Sequence, residues 1–166
     1  TQECSNLFTV AWTGTICTNP AMLSISVRPE RHSYGLIRDN MEFTLNLTTK
    51  AMAYATDLCG VKSGRDSDKW AISGLHPYPG VGVACPAVEE SPLSVECRVK
   101  SIIPLGSHHM FIAEVLNVLA DSRWLDPETG KFDLESAGLI SYSHGGYFAQ
   151  GEKLGHFGFS VKKKQK

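Results

Sequence analysis

The amino-acid sequence predicts a mainly β fold, a small closed barrel with a few short helices in the connections between strands. Four segments alternate apolar and polar residues as half-buried strands do, namely residues 21–27, 43–48, 93–103 and 108–119. The last two are long and flank the turn sequence Pro104-Leu105-Gly106-Ser107, which predicts a hairpin. Short helical patterns fall between strands, at residues 34–40 and 50–59.

An earlier strand is predicted at residues 7–12, where β-branched and aromatic residues are prominent. Thr13-Gly14-Thr15 is expected to end this strand, and Asn19-Pro20 predicts a turn before the next one. In the long strand at residues 93–103, apolar residues are expected on one face and charged residues on the other. The two sets are Val95, Cys97 and Val99 against Glu96, Arg98 and Lys100.

Thr49 is expected to cap the helix at residues 50–59, which has an apolar face. That face carries Met52, Ala55 and Cys59. Residues 59–70 are polar and contain glycines, which predicts a loop that ends in a short helix. Residues 74–86 contain several prolines and glycines, which predicts an irregular connection with at most a short strand.

Length and composition indicate one globular domain over residues 1–166. The chain is 42% hydrophobic, which is enough for a sizeable core. A net charge of −1 argues against a nucleic-acid or membrane-surface partner, and no apolar run is long enough to cross a membrane. A last short strand is predicted at residues 139–142, and residues 162–166 are expected to be a solvated tail.

The five cysteines are widely spaced and include no C-x-x-C pair, which argues against a disulfide framework and a zinc finger. Reduced thiols and a cytoplasmic location are therefore expected. The chain starts at Thr1, without an initiator Met or a signal-peptide pattern, so its first part is expected to be missing.

The junction between the strand at residues 21–27 and the helix at residues 34–40 carries Arg28, Arg31 and Ser33. Backbone N–H groups, the positive end of a helix dipole, a hydroxyl and two guanidinium groups converge there, and together they suit a phosphate. The alternative is that Ser33 only caps the helix and the arginines are solvated.

Short segments follow one another in an order typical of a known family. They are residues 9–14, residues 26–29 with Arg31 and Ser33, and residues 46–48, 59–70, 106–109 and 142–147. In this order the sequence resembles the flavin reductase-like, FMN-binding split-barrel family, and within it the flavoredoxin type. The resemblance implies a six-stranded split β-barrel of Greek-key type that forms a homodimer, with FMN near the subunit interface. Members usually carry a further N-terminal segment, which is expected to be absent here.

The resemblance also implies which residues hold FMN. The phosphate is expected to be bound by Arg28, Arg31, Ser33, Lys62, Ser63, Gly64 and Lys69. The flavin ring is expected to lie against a wall made by Ala11, Trp12, Thr13 and Gly14. Ser26 and Val27 complete the cofactor-binding set, with Asn46 and Thr48 as ring or ribityl contacts. Two alternatives stay open, surface charge for Lys62, Arg65 and Lys69 and a core position for Trp12.

His108 matches a histidine that the family places near the flavin and the nicotinamide, and it is the candidate catalytic residue. A surface histidine at a strand start is the alternative. His109 should point to the opposite face of the strand, which argues against a paired-histidine metal site, and no metal is expected. Cys17 follows the ring wall and either lies near the flavin or is a small buried hydrophobic residue.

Two functions fit these residues. The first is an oxidoreductase in which NADH or NADPH reduces bound FMN and electrons then pass to an acceptor that the sequence does not identify. The second is an electron carrier or FMN-binding module that a partner protein reduces. The absence of a G-x-G-x-x-G motif does not separate them, because split-barrel reductases do not use that motif.

Overall fold

The computed structural model describes residues 5–161. Its strands are β1 (Thr13–Thr18), β2 (Ala21–Val27), β3 (Glu42–Asn46), β4 (Pro77–Tyr78), β5 (Ala87–Val88), β6 (Leu93–Pro104), β7 (His109–Ala120), β8 (Ile140–Ser143) and β9 (Gly146–Ala149). Its α-helices are α1 (His32–Asn40), α2 (Ala53–Val61) and α3 (Lys69–Ser73). Short 3₁₀ turns occupy Lys50–Met52, Ser122–Trp124 and Phe159–Val161. The mainly β prediction with a few short helices is confirmed.

Five strands form one antiparallel sheet in the order β1–β2–β7–β6–β3, and two separate ribbons pair β4 with β5 and β8 with β9. Within residues 5–161 this main sheet has one strand fewer than the resemblance implies. The predicted hairpin is confirmed as β6 and β7, which are paired along almost their whole length. Among the described residues, no helix is long and apolar enough to cross a membrane.

The core lies on one face of this sheet, and α1 packs against it. The alternation predicted for β2 is confirmed, since Leu23, Ile25 and Val27 are buried while the residues between them are partly exposed. Phe111 of β7 and Cys97 of β6 are fully buried beside them. Burial raises the pKa of the Cys97 thiol to about 12, with Glu96 adding to the effect, so this thiol is a core residue and not a nucleophile.

The strand predicted at residues 7–12 is wrong. Residues 5–10 have no regular structure, although Phe8 and Val10 pack against the core, and the first strand is β1. Gly14 does not break β1, because this edge strand pairs with β2 and a glycine opposite Ser24 meets no neighbour. Cross-strand pairing therefore outweighs the local β-propensity of the preceding segment.

The apolar face predicted for β6 is confirmed, since Cys97 and Val99 belong to the core and Val95 packs against it. The register with β7 shifts between Glu96 and Cys97, and both residues are fully buried. The extra residue at this shift is Leu116 of β7, so Glu96 still points away from Cys97 and is buried on the face opposite the core. The Glu96 carboxylate accepts hydrogen bonds from the backbone N–H groups of Val81 and Gly82 at 2.7 and 2.8 Å, and from Asn117 Nδ2 at 2.8 Å.

The helices follow the sequence pattern with local differences at their ends. Met52, Ala55 and Cys59 are buried on a common face as expected, but Thr49 makes no side-chain cap. A side-chain cap is found at the next helix, α3, where Asp68 accepts hydrogen bonds from the backbone N–H groups of Trp70 and Ala71. The irregular connection at residues 74–86 is confirmed, with β4 its one strand.

The last predicted strand is confirmed as β8, but its partner β9 was not predicted. The two strands join through His144 and Gly145, which have φ values of 47° and 83°. The glycine suits this left-handed turn. The predicted tail at residues 162–166 lies outside the described residues.

Candidate functional site

A pocket of about 120 Å³ lies where the N-terminal segment, the start of α1 and the α2–α3 loop meet. Of the seven residues predicted to bind a phosphate, six line it: Arg31, Ser33, Lys62, Ser63, Gly64 and Lys69. They come from parts of the sequence about thirty residues apart, which the fold brings together. The pocket therefore gathers cationic groups, hydroxyls and a helix N-terminus, as an anion site requires.

Lys69 is the buried cation of this pocket, with a relative exposure of 4%. Its Nζ donates a 2.7 Å hydrogen bond to the backbone oxygen of Cys59. Burial lowers the pKa of Lys69; Cys59 opposes that shift, and the nearby Arg31 charge adds to it. The alternative of a surface charge is wrong for Lys69, whereas Lys62 and Arg65 are exposed.

Ser33 is buried and does not cap α1, so the capping part of the alternative is wrong, whereas Arg31 is exposed as the other part expects. The N-cap residue is Arg31, and the Ser33 hydroxyl accepts a 2.8 Å hydrogen bond from Asn6 Nδ2. Ser33 lies in the first turn, where backbone N–H groups have no partner within the helix. Asn6, which donates to the Ser33 hydroxyl, also lines the pocket.

Sequence reasoning missed the N-terminal contribution to the pocket, which comes from Asn6, Phe8 and Thr9. The hydroxyl of Thr9 donates to the backbone oxygen of Thr56 and so ties this segment to α2. These residues lie in an irregular stretch whose apolar pattern resembles a strand, so the sequence carries no signal for their role.

Gly64 is tightly enclosed at the pocket wall. A Cβ built there would lie 2.8 Å from Cδ2 of His32 and 2.7 Å from Cγ of Asn6. Real Cβ atoms do not approach other atoms so closely, so any larger residue here would displace the side chains of Asn6 and His32.

Arg28 is the predicted phosphate ligand that does not line the pocket, and it is exposed. It begins a tight turn that ends at Arg31, whose backbone N–H donates to the Arg28 oxygen at 3.0 Å. Arg65 braces this turn by donating from Nη2 to the backbone oxygen of Glu30 at 3.1 Å.

The predicted ring wall, Ala11 to Gly14, is exposed throughout. The core alternative for Trp12 is wrong, because its side chain is 68% exposed. Its ring meets that of His108 edge-on, with 6.0 Å between centroids. The Trp12 backbone oxygen accepts a 2.8 Å hydrogen bond from Ser26 N, which joins the wall to β2.

Three predicted cofactor residues have structural roles or lie away from the pocket. The Val27 side chain is in the core, so only its backbone could meet a ligand. The Asn46 side chain bonds to Val88 N, to the Ser94 hydroxyl and to the Thr44 oxygen. Thr48 accepts at its backbone oxygen from Ile140 N and does not line the pocket.

The paired histidines contact different elements, as expected from strand geometry. His108 is beside Trp12, whereas His109 Nδ1 lies 2.7 Å from the Tyr34 hydroxyl on α1. Within residues 5–161, no cluster of three or more His, Cys, Asp or Glu residues could hold a metal ion. Cys17 is a free, exposed thiol in β1, so the buried alternative is wrong.

The donor set fits the phosphate end of a flavin nucleotide. A buried lysine, an arginine, a serine hydroxyl and a helix N-terminus converge on one pocket. The pocket is smaller than the roughly 300–1,000 Å³ of sites that enclose whole ligands. It can therefore take the phosphate alone, and an attached aromatic ring would have to lie outside it.

The fold and this site define a class of protein. The chain matches the model of the flavin reductase like domain over residues 1–148, and it belongs to that family.

The flavoredoxin of Desulfovibrio vulgaris (Miyazaki F) is a solved structure with 31% identity and a TM-score of 0.87, and the match covers 95% of this chain and 85% of flavoredoxin. A Shewanella frigidimarina protein with a split barrel domain has 22% identity and a TM-score of 0.82, covering 93% of this chain and 79% of that one. The fold is therefore a split barrel, as predicted. An NADPH-flavin oxidoreductase of Streptomyces viridifaciens is 29% identical over 116 residues, which are 66% of this chain and 56% of that protein.

Proposed function

We propose that this protein binds FMN and uses it to transfer electrons from NADH or NADPH to an acceptor. The observation that carries the proposal is the buried cation Lys69, which lines a pocket with Arg31 and Ser33 at the start of α1. A flavin without a phosphate would bring no anion to these charged groups, so the pocket favours a flavin nucleotide.

The roles of the chain's own residues follow from their positions. Lys69, Arg31 and the first turn of α1 would hold the phosphate, and Asn6 would keep Ser33 in place. Each charge-assisted hydrogen bond contributes roughly 1.5–3 kcal/mol. When bound, FMN supplies the redox chemistry by accepting a hydride from the nicotinamide. His108 and Trp12 would border the ring and orient the nucleotide that reduces it.

A homodimer is part of this proposal. The ring wall at residues 11–14 is exposed, so one chain would leave an attached flavin ring open to water. Several large apolar side chains are also exposed on strands of the main sheet, among them Ile16, Leu116 and Val118. Exposed apolar surface of this kind marks interaction sites. A second copy that covers the ring wall would exclude water from the flavin.

Two observations favour different electron donors. The relative named as an NADPH-flavin oxidoreductase supports direct reduction by a nicotinamide nucleotide. The structural similarity to flavoredoxin supports the second candidate, an FMN-containing electron carrier reduced by another protein. We favour the reductase, because Trp12 is exposed beside the half-buried His108, where a planar nucleotide ring could approach the flavin wall.

The test is the visible absorption spectrum of the purified protein after FMN is added and the excess is removed. The spectrum is then repeated without oxygen after NADH or NADPH. Retained flavin bands that bleach support the reductase and identify the donor. Retained bands that bleach only with a reduced protein support the carrier. If the wild-type protein fails to bind FMN in a titration, the proposal is contradicted at its first step.

A further inference from the structure

One hydrogen bond connects α1 directly to the start of β7. The Tyr34 hydroxyl lies 2.7 Å from His109 Nδ1, and the two rings meet edge-on at 5.3 Å. Tyr34 is also held by its edge-on contact with Phe111, at 5.4 Å, and by the Arg38 guanidinium 5.9 Å above its ring. The tyrosine therefore has contacts on several sides, and its hydroxyl has a fixed partner.

The two ends of this bond belong to the two halves of the proposed site. Tyr34 lies in the first turn of α1, where its N–H donates to the Arg31 oxygen at 3.0 Å. That turn also carries Ser33 of the phosphate pocket. His109 directly follows His108, whose ring contacts Trp12 of the ring wall.

The backbone of His109 belongs to the main sheet. It pairs with Val27 of β2 on one side and with Pro104 of β6 on the other, so its backbone is fixed in the sheet. Neighbouring side chains on a strand point to opposite faces. Because the sheet holds the His109 backbone, its hydrogen bond with Tyr34 fixes where α1 lies relative to the strand end beside His108, and losing that bond would alter the surroundings of His108.

We infer that Tyr34 and His109 are a positioning pair that fixes the spacing between the phosphate pocket and the Trp12–His108 wall. The inference rests on the proposed function and names two residues that do not line the pocket. A cofactor held at its phosphate presents its ring correctly only if the wall lies at a fixed distance. Misplacement by about 1 Å can slow a reaction by up to 10²-fold.

The first experiment compares wild type with Tyr34→Phe, which keeps the ring and removes the hydroxyl. We expect the FMN dissociation constant to change less than about threefold, and the rate constant for flavin reduction to fall about tenfold. Tyr78→Phe is the matched control, because Tyr78 is half-exposed on β4 and its hydroxyl has no hydrogen bond to residues 5–161. Equal reduction rates in Tyr34→Phe and wild type would overturn the inference.

The second experiment changes the other partner. His109→Gln keeps a hydrogen-bonding side chain and should retain most of the reduction rate, whereas His109→Leu should lose it as Tyr34→Phe does. A merely structural role would lower the unfolding midpoint of both variants without separating their rates. Equal rates in His109→Gln and His109→Leu would show that the hydrogen bond has no positioning role.

A third readout does not depend on flavin reduction. Nitrogen NMR of the FMN-free protein reports the imidazole signals of both histidines. We expect Tyr34→Phe to shift the His109 signals and, through the strand, the His108 signals, while Tyr78→Phe shifts neither. Unchanged His108 signals would contradict the inference even if the flavin is never reduced. Loss of FMN binding in wild type would instead contradict the proposed function.

Discussion

The Nζ atom of Lys69 lies 2.7 Å from the backbone oxygen of Cys59, across the loop that joins α2 to α3. Lys69 is almost fully buried, and no ion pair within residues 5–161 includes it. An ammonium has three N–H donors, and the Cys59 oxygen accepts one. A buried cation without a carboxylate is costly unless an anion joins it, so this contact supports the proposal that the pocket binds an anion.

Replacing this cation should separate binding from folding. We expect Lys69→Met to weaken FMN binding about tenfold to a hundredfold, because it removes a charge-assisted hydrogen bond. The free energy of unfolding should not fall, since the substitution removes a desolvated charge and keeps most of the volume. Fluorescence titration and urea unfolding measure the two quantities. Lys131→Met is the control at an exposed position outside the pocket, and an equal loss of FMN binding there would refute the assignment.

The free energy of unfolding should also depend on pH through the buried Lys69. Burial lowers the pKa of Lys69 from its ordinary value of 10.5, although Cys59 partly opposes this and Arg31 adds to it. The unfolded chain then keeps this proton to higher pH than the folded chain. The free energy of unfolding should therefore rise as pH increases from the lowered pKa toward 10.5.

The difference between wild type and Lys69→Met across that pH range isolates this contribution from other titrating groups. Saturating FMN should reduce the difference, because a bound phosphate favours the charged lysine and raises its pKa. A wild-type stability that falls relative to Lys69→Met with rising pH would have the wrong sign.

The two arginines of the strand-to-helix junction should behave differently. Arg31 lines the pocket and Arg28 does not. We expect Arg31→Ala to weaken FMN binding about tenfold, and Arg28→Ala to change it less than about threefold. Both affinities come from fluorescence titration under the same salt conditions. A larger loss in Arg28→Ala would mean that the phosphate lies outside the pocket described here.

Two glycines provide a matched pair for the pocket wall. The methyl group of Gly64→Ala would collide with the side chains of Asn6 and His32. We therefore expect a loss of about 1–3 kcal/mol in stability and weaker FMN binding. Gly35→Ala lies within α1 and meets nothing within 4 Å, so it should stabilise the protein by about 0.5–1 kcal/mol. Denaturant unfolding measures both changes, and equal effects of the two substitutions would show that Gly64 has no special role.

The sequence predicted those elements whose local pattern and tertiary pairing agree. β2 alternates and has one buried face, so its bounds and orientation followed from the pattern. The segment at residues 7–12 has strand-forming residues but packs on the core without a partner strand, which only the tertiary structure decides. The burial of Glu96 has the same character, because the residues that bond to its carboxylate, Val81 and Gly82, come from a separate connection.

The candidate site was predictable where the chemistry of a residue type pointed to a ligand. Charged and hydroxyl groups near a helix start indicated a phosphate, and the family resemblance added Lys69; Arg31, Ser33 and Lys69 do share one pocket. Asn6 could not be found in this way, since a lone asparagine in an irregular segment has many common roles. The bond between Tyr34 and His109 joins residues 75 positions apart, so it too required the structure.

The buried carboxylate of Glu96 should be essential for the connection at residues 74–86. Its oxygens accept from two consecutive backbone N–H groups, those of Val81 and Gly82, and from Asn117. In Glu96→Gln, the new amide nitrogen would point a donor at one of these donors. We expect a loss of about 1–3 kcal/mol in the free energy of unfolding, because a buried group is left unsatisfied.

Glu114→Gln is the control for this substitution, because Glu114 pairs with Lys100 at 3.1 Å near the surface. Such exposed pairs contribute about 0–1 kcal/mol. Hydrogen exchange should report faster exchange at Val81 and Gly82 in Glu96→Gln and unchanged exchange in Glu114→Gln. If the Val81 and Gly82 amides exchange at the wild-type rate in Glu96→Gln, the carboxylate does not hold this connection in place.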